Sequence, residues 1–340
     1  MGWPRPIIAL TLAAACLSGC AGLGPSYIEA SRTPFIEVLA KTDEQELLLN
    51  IVRLRHSEAP VFVQVEGITV SPSAELSVTS SLPFIDIDDA TLTTAVTPTL
   101  TVADSPTIVY DPLLGTEFAE KLLVPIDPTV ILLLSQNGWP LDQLFSLMVR
   151  SVEGVGDAPG RADRYDAIVG AIGRLERVGD LVLGTGTDQS TGTTILLMRI
   201  STRGRQSDEG RFLADALGLD PNQEIYRLQS GFAAAPDTIA IEMRPLMSLL
   251  YHVGAGVETD ATQPPANTGL SAEDVGMRIH AGDLPPSGAF VAVPAHGRWY
   301  WIERDDQASK GTLLLLRLLF NLQAQGDGES GTFQLTLPVR

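Results

Sequence analysis

The chain is poor in cysteine and in lysine, and beyond its first twenty residues it has no long apolar run. Its two cysteines, Cys16 and Cys20, both lie in that opening stretch. No disulfide framework holds the body together, and at 340 residues it needs none, because a chain of that length buries roughly three quarters of its unfolded surface. Only three lysines occur, Lys41, Lys121 and Lys310, and 23 basic residues face 41 acidic ones for a formal net charge of −18. That balance excludes a nucleic-acid partner, whose phosphates demand a basic face, and a polybasic grip on anionic lipid. After Cys20 no apolar segment reaches the roughly 20 residues of a membrane-spanning helix. With 44% hydrophobic and 19% charged residues, the chain is globular rather than disordered.

Catalytic signatures are also missing. There is no G-x-S-x-G elbow and no P-loop, and Gly184-Thr185-Gly186 lacks the third glycine of a dinucleotide fingerprint. The histidines are His56, His252, His280 and His296; no two are three to five residues apart, so none makes a zinc pair on one helix. No catalytic residue, cofactor or metal is expected, although a triad assembled by the fold leaves no spacing signal.

What is present reads as α+β: a mixed or antiparallel sheet with several packed helices and a long N-terminal β-hairpin. Thr42-Asp43-Glu44-Gln45 has capping-box spacing before the helical stripe Leu47, Leu48, Ile51, Val52 and Leu54. From Pro60 the period becomes two. Val61, Val63 and Val65 alternate, Gly67 marks a bulge, and the apolar phase then moves to Ile68, Val70, Ala74, Leu76 and Val78. A second arm, Leu92 to Val102, alternates apolar residues with threonine, and residues 83–89 form an acidic tip. Thr107 to Tyr110 reads as a separate short strand. Helices are expected near 115–123, from Asp127-Pro128 to Asn137, from Pro140 through Met148, and along Tyr165, Ile168, Val169, Ile172, Leu175 and Val178. The helix through Ile131–Leu134 is apolar around most of its circumference, which predicts burial. Strands at 181–183 and 194–200 are joined by a Gly/Thr loop, and a helix at 208–217 ends at Gly218. Strands follow at 224–228 and 238–243, then a helix at 245–251 and a loop at 263–271. A hairpin turns on Ala295-His296-Gly297, a leucine-rich helix runs over 312–322, and a last strand spans 333–337.

The N-terminus resembles a bacterial lipoprotein signal. One arginine, Arg5, precedes the apolar stretch Ile7–Leu17, and Leu17-Ser18-Gly19-Cys20 resembles a lipobox. The resemblance implies lipidation of Cys20, and Ala21 in place of aspartate implies the outer membrane. Several acyl chains would hold the protein stably to the bilayer. The expected organisation is a signal peptide at 1–19, a lipidated tether at 20–40, a helix plus long hairpin at 41–110 and an α+β globular domain at 111–340.

Further segments resemble, in their order, a family of uncharacterised bacterial lipoproteins. They are Leu47-Leu48-Leu49-Asn50-Ile51-Val52-Arg53-Leu54-Arg55, Pro106-Thr107-Ile108-Val109-Tyr110-Asp111-Pro112-Leu113, Gly138-Trp139-Pro140, Gly297-Arg298-Trp299-Tyr300-Trp301-Ile302 and Ser309-Lys310-Gly311-Thr312. The resemblance implies a recurring type of envelope lipoprotein and carries over no catalytic residue.

Possible interaction residues are Trp299, Tyr300 and Trp301, with Arg53 and Arg55. Aromatics beside Glu303, Asp305 and Asp306 suit sugar stacking or glycoside hydrolysis; the plainer reading is a half-buried strand, Trp299 and Trp301 on one face, running into an acidic turn. Arg53 and Arg55 read as an anion site or, more simply, as cations at a helix C-terminus. The expected function is a non-enzymatic scaffold or assembly role in an envelope complex. It would be exercised at the periplasmic face of the outer membrane, with the bilayer, envelope proteins or further copies as partners and no nucleic acid. The alternatives are an oligomeric β-barrel component using the 68–102 hairpin and an envelope glycan hydrolase.

Overall fold

The computed structural model describes residues 23–81, 95–113, 115–156, 162–187, 192–231, 235–258 and 275–324. The lipobox with Cys20, the hairpin tip at 83–89, the loop at 263–271 and the strand expected at 333–337 lie outside the described residues. The chain is α+β. Its residues fall into two units, Met1–Pro60 with Ala119–Ala324, and Val61–Phe118 with Gln325–Arg340.

The smaller unit is built on one antiparallel pair, β1 (Val63–Ser81) and β2 (Ala95–Pro112). The register shifts between Val65 and Gly67, which is the bulge the change of apolar phase predicts. Beyond it Ile68 lies opposite Ile108, Ala74 opposite Val102 and Leu76 opposite Leu100. Thr107–Tyr110 is not a separate strand, because β2 runs unbroken to Pro112. Pro98 and Pro106 sit within β2 opposite Val78 and Val70, each withholding a ladder donor. Helix α2 (Thr116–Leu123) follows, and Phe118 meets Phe62 edge to face with ring centroids 5.9 Å apart.

The larger unit opens with α1 (Leu23–Arg55). The helix begins inside the stretch read as a tether, and Thr42 lies within it, donating its hydroxyl to Leu39 O at 2.9 Å. Pro25 occupies the first turn, where no intrahelical donor is lost, and only Pro34 interrupts the interior. The helix gains a core-facing side from Leu47, Leu48, Ile51 and Val52, all buried.

Helices α3 (Thr129–Gln136) and α4 (Leu141–Met148) follow, and Asp127 accepts the Thr129 amide at 2.8 Å. Helix α3 is buried on one side only. Ile131 and Leu134 are covered while Leu133 is half exposed, since a two-turn helix against a single neighbouring layer hides one face. A six-stranded sheet forms from β3 (Val149–Val152), β4 (Val155–Gly156), β5 (Leu181–Thr187), β6 (Thr194–Ile200), β7 (Ile225–Ser230) and β8 (Thr238–Met243). Its order is β4-β3-β8-β7-β6-β5, antiparallel throughout except for the parallel β7–β8 pair. Strand β8 is central and buried on both faces, Thr238 and Ala240 on one, Ile239, Ile241 and Met243 on the other. Helix α5 (Ala162–Arg177) buries Tyr165, Ile168, Val169, Ile172 and Leu175 and packs against α4. Val178, read into the same stripe, lies past the helix end and is exposed.

Two short helices, α6 (Thr202–Gln206) and α7 (Asp208–Leu217), are capped by Ser201 and Ser207, which accept the amides of Gly204 and Gly210. A Cβ on Gly210 would collide with the Gly204 carbonyl, so the two helices meet at glycine. The remaining core joins α1 to α8 (Leu246–Val253) and α9 (Gln307–Ala324). A three-stranded sheet completes it, β9 (His280–Gly282), β10 (Val291–Ala295) and β11 (Arg298–Ile302), in the order β10-β11-β9.

Two buried polar anchors fix these layers. Arg244 donates from Nη1 to the carbonyls of Ser146, Leu147 and Val149 at 3.0, 2.8 and 2.6 Å, satisfying the end of α4. Asp180 accepts Ser201 Oγ at 2.6 Å and Arg203 Nε at 2.8 Å. These hydrogen bonds, Arg203's first, hold its carboxyl below the ordinary aspartate value.

Candidate functional site

The β10–β11 hairpin and the C-terminus of α1 bring the larger unit's chemistry together. Strands β10 and β11 pair from Val291–Ile302 to Ala295–Arg298, so the turn is His296-Gly297, with φ of 51° and 77°. Two consecutive positive φ values define the tight turn that suits the strand twist, and glycine makes the second easy. Helix α1 ends with its own left-handed residue, Ser57 at φ 62°. The Glu58 amide bonds back to Arg53 O and the Ser57 amide to Leu54 O, a Schellman stop made with serine in place of the usual glycine. That stop turns Glu58 back beside Arg53.

The result is a compact polar cluster. The His56 and His296 rings lie 4.3 Å apart, and His56 Nε2 is 3.1 Å from the Tyr300 hydroxyl. Glu58 stands 3.8 Å from His296 Nε2 and 3.8 Å from Arg53 Nε, while Arg53 Nε also donates to Ala59 O at 3.0 Å. Burial, then His296 and Arg55, push the His56 imidazole below the ordinary histidine value, with Glu58 opposing them. His56 thus faces a tyrosine hydroxyl on one side and a second imidazole on the other, and its neighbours His296 and Arg55 disfavour a positive charge on it. Among the described residues no group of three or more His, Cys, Asp or Glu side chains has the placement of a metal site.

The opposite face of the same sheet carries the tryptophans. Alternation puts Tyr300 and Ile302 on the core side, both buried, and Trp299 and Trp301 on the other, both partly exposed. Trp301 stacks on His280 with centroids 5.6 Å apart and donates Nε1 to Glu303 at 2.8 Å. His280 Nδ1 lies 3.0 Å from Glu258, which also accepts the Ala281 amide at 3.3 Å. The acidic run after β11 is divided. Glu303 is held by Trp301, and Asp305 is exposed. Asp306 accepts the Ser309 amide and hydroxyl at 3.0 and 2.6 Å, fixing the start of α9.

Of the residues read from sequence, Arg53 and Tyr300 meet through His56, His296 and Glu58. Arg55 is half-buried and acts on His56 through its charge. Trp299 and Trp301 lie across the sheet from Tyr300. Sequence reasoning missed His56, His296 and Glu58 as a group. Its only signal was the turn at Ala295-His296-Gly297, since nothing in the spacing links positions 56 and 296.

With this α+β fold and its two-sided sheet in view, comparison with known proteins adds no relative. No protein-family model, no curated protein and no solved structure significantly matches the chain.

Proposed function

We propose that this chain is a lipid-anchored envelope protein. It is attached through acylated Cys20 at the periplasmic face of the outer membrane and serves as a non-enzymatic scaffold or assembly component. The observation that carries the reading is the β1–β2 ribbon. Its register sets the alternations of the two arms in phase, apolar opposite apolar at Ile68–Ile108, Ala74–Val102 and Leu76–Leu100, and Ser or Thr opposite Thr at Thr69–Thr107, Ser77–Thr99 and Thr79–Thr97. Among the described residues neither strand pairs with a third. Two long edges and a run of apolar pairs on one side, interrupted where Pro72 lies opposite Asp104, are what an assembly element offers a partner.

The same register supports a second reading, an oligomeric barrel in which each protomer donates two strands. The alternating runs 68–78 and 98–108 match the roughly 9–11 residues of a tilted membrane strand, and closure would remove the edges. Among the described residues no helix is long and apolar enough to cross a membrane. Photocrosslinkers at the exposed positions Ser77 and Thr99, combined with Cys20→Ala, test both readings in intact cells. The scaffold reading predicts acyl labelling lost and protein released with Cys20→Ala, and ribbon crosslinks to a distinct envelope protein. Crosslinks only to further copies, with a ring-sized species in detergent, select the barrel. Unchanged membrane fractionation without acyl labelling refutes the anchor.

A further inference from the structure

A cavity of about 310 Å³ lies between α1 and α9, at the small end of the range for small-molecule sites. Its walls are apolar: Leu47 from α1, Leu313 and Leu314 from α9, and Phe290 from the approach to β10. Leu47 and Leu313 are buried, whereas Leu314 is 51% exposed, so this wall of the cavity remains wet. Polar groups lie at the two ends. At one, Arg317 Nη2 bonds Asp43 at 2.7 Å and acts on Glu44, so two carboxylates share one guanidinium. Burial pushes both carboxyls above their ordinary values, with Arg317 pulling them back. At the other, two helical turns away, Lys310 sits 5.2 Å over the Phe290 ring and donates Nζ to the Arg304 carbonyl at 3.1 Å. Among the described residues no carboxylate lies within ion-pair distance of Lys310, in a chain with only three lysines and a net charge of −18.

We propose that the α1–α9 groove binds a single-chain fatty carboxylate, its head on Lys310 and its alkyl chain along Leu47, Leu313 and Leu314. Charge complementarity fixes the direction. The carboxylate-rich end repels an anion, and Lys310 is the cation with spare capacity, since an ammonium has three donors and a carbonyl uses one. The apolar wall supplies the affinity, because covering Leu314 removes exposed hydrocarbon from water. The charge-assisted contact with the Lys310 ammonium supplies the preference for a carboxylate over an alcohol.

The test is calorimetric titration of the full chain carrying Cys20→Ala, without detergent, using decanoate, decanol, decyl phosphate and acetate. Decanoate binds saturably with one site, decanol about tenfold more weakly, as the loss of one charge-assisted hydrogen bond requires, and acetate not at all. Lys310→Gln weakens decanoate by about the same tenfold factor, and Lys310→Arg restores most of it. Leu314→Asp abolishes binding. In the chain with Lys310 and Leu314 intact, leucine-methyl resonances of Leu47 and Leu313 shift on saturation, which reads the site even if a variant folds poorly. Equal affinity for decanol overturns the proposal. So does a Lys310→Gln variant with unchanged affinity, decyl phosphate binding far more tightly than decanoate, or methyl shifts confined to other residues.

Discussion

At the scale of single residues, the structure gives some side chains a task that their neighbours in sequence do not reveal. His56 is the clearest case. Its imidazole is held below the ordinary histidine value by burial first, then by His296 and Arg55. The folded chain therefore binds that proton less readily than the unfolded chain, so stability rises with pH wherever the unfolded state holds more protons. The contribution is intact above the ordinary histidine value of about 6.5 and is lost progressively as the pH falls below it toward the folded value. Urea midpoints measured from pH 7.5 down to 5 should decline, and His56→Gln should flatten that slope. An equally steep slope in the variant would show that another group titrates there. Arg244 is a second case. A sequence reader sees an arginine before a proline, whereas the fold makes it the donor to three carbonyls at the end of α4.

At the scale of elements, much of the chain was legible because the signals are local. The phase change at Gly67 gave the bulge, Gly218 ends α7, and the stripe from Tyr165 to Leu175 is α5. The turn residues His296 and Gly297 located the β10–β11 hairpin. What was not legible depends on partners. Strands β3, β4 and β9 are short, and their sequences carry no alternation long enough to detect; pairing of β3 with β8, β4 with β3 and β9 with β11 makes them strands. The His56–His296 cluster is hidden for the same reason, since it exists only once α1 and the hairpin are docked. Helix α9 offers a test at this scale. Gly311 lies in its interior, and a Cβ there would meet nothing nearer than Gln143 Nε2 at 3.9 Å. Gly311→Ala should raise stability by about 0.5–1 kcal/mol, the difference in helix propensity, read as a higher denaturation midpoint with an unchanged m-value. A loss of stability would mean that the backbone around Gly311 departs from ordinary helix.

At the scale of the whole chain, sheet order sets a sequence of events. Strands β5 to β8 pair in chain order, β5 with β6, β6 with β7 and β7 with β8, whereas β3 joins β8 through residues as far apart as Val149 and Met243, 94 positions along. Closing that span has an entropic cost that the neighbouring pairs do not face, and distant pairings slow folding. In pulsed hydrogen exchange, amides of β5, β6 and β7 should gain protection before those of β3; protection of all four in one phase would refute this order. Strand β8 is then a seam. Until β3 arrives, one edge of an apolar strand stands open, and the nascent chain can lend that edge to another copy. The 94-residue separation is thus an interval of vulnerability to domain exchange, during which the chain has to be kept from self-pairing until the seam is sewn.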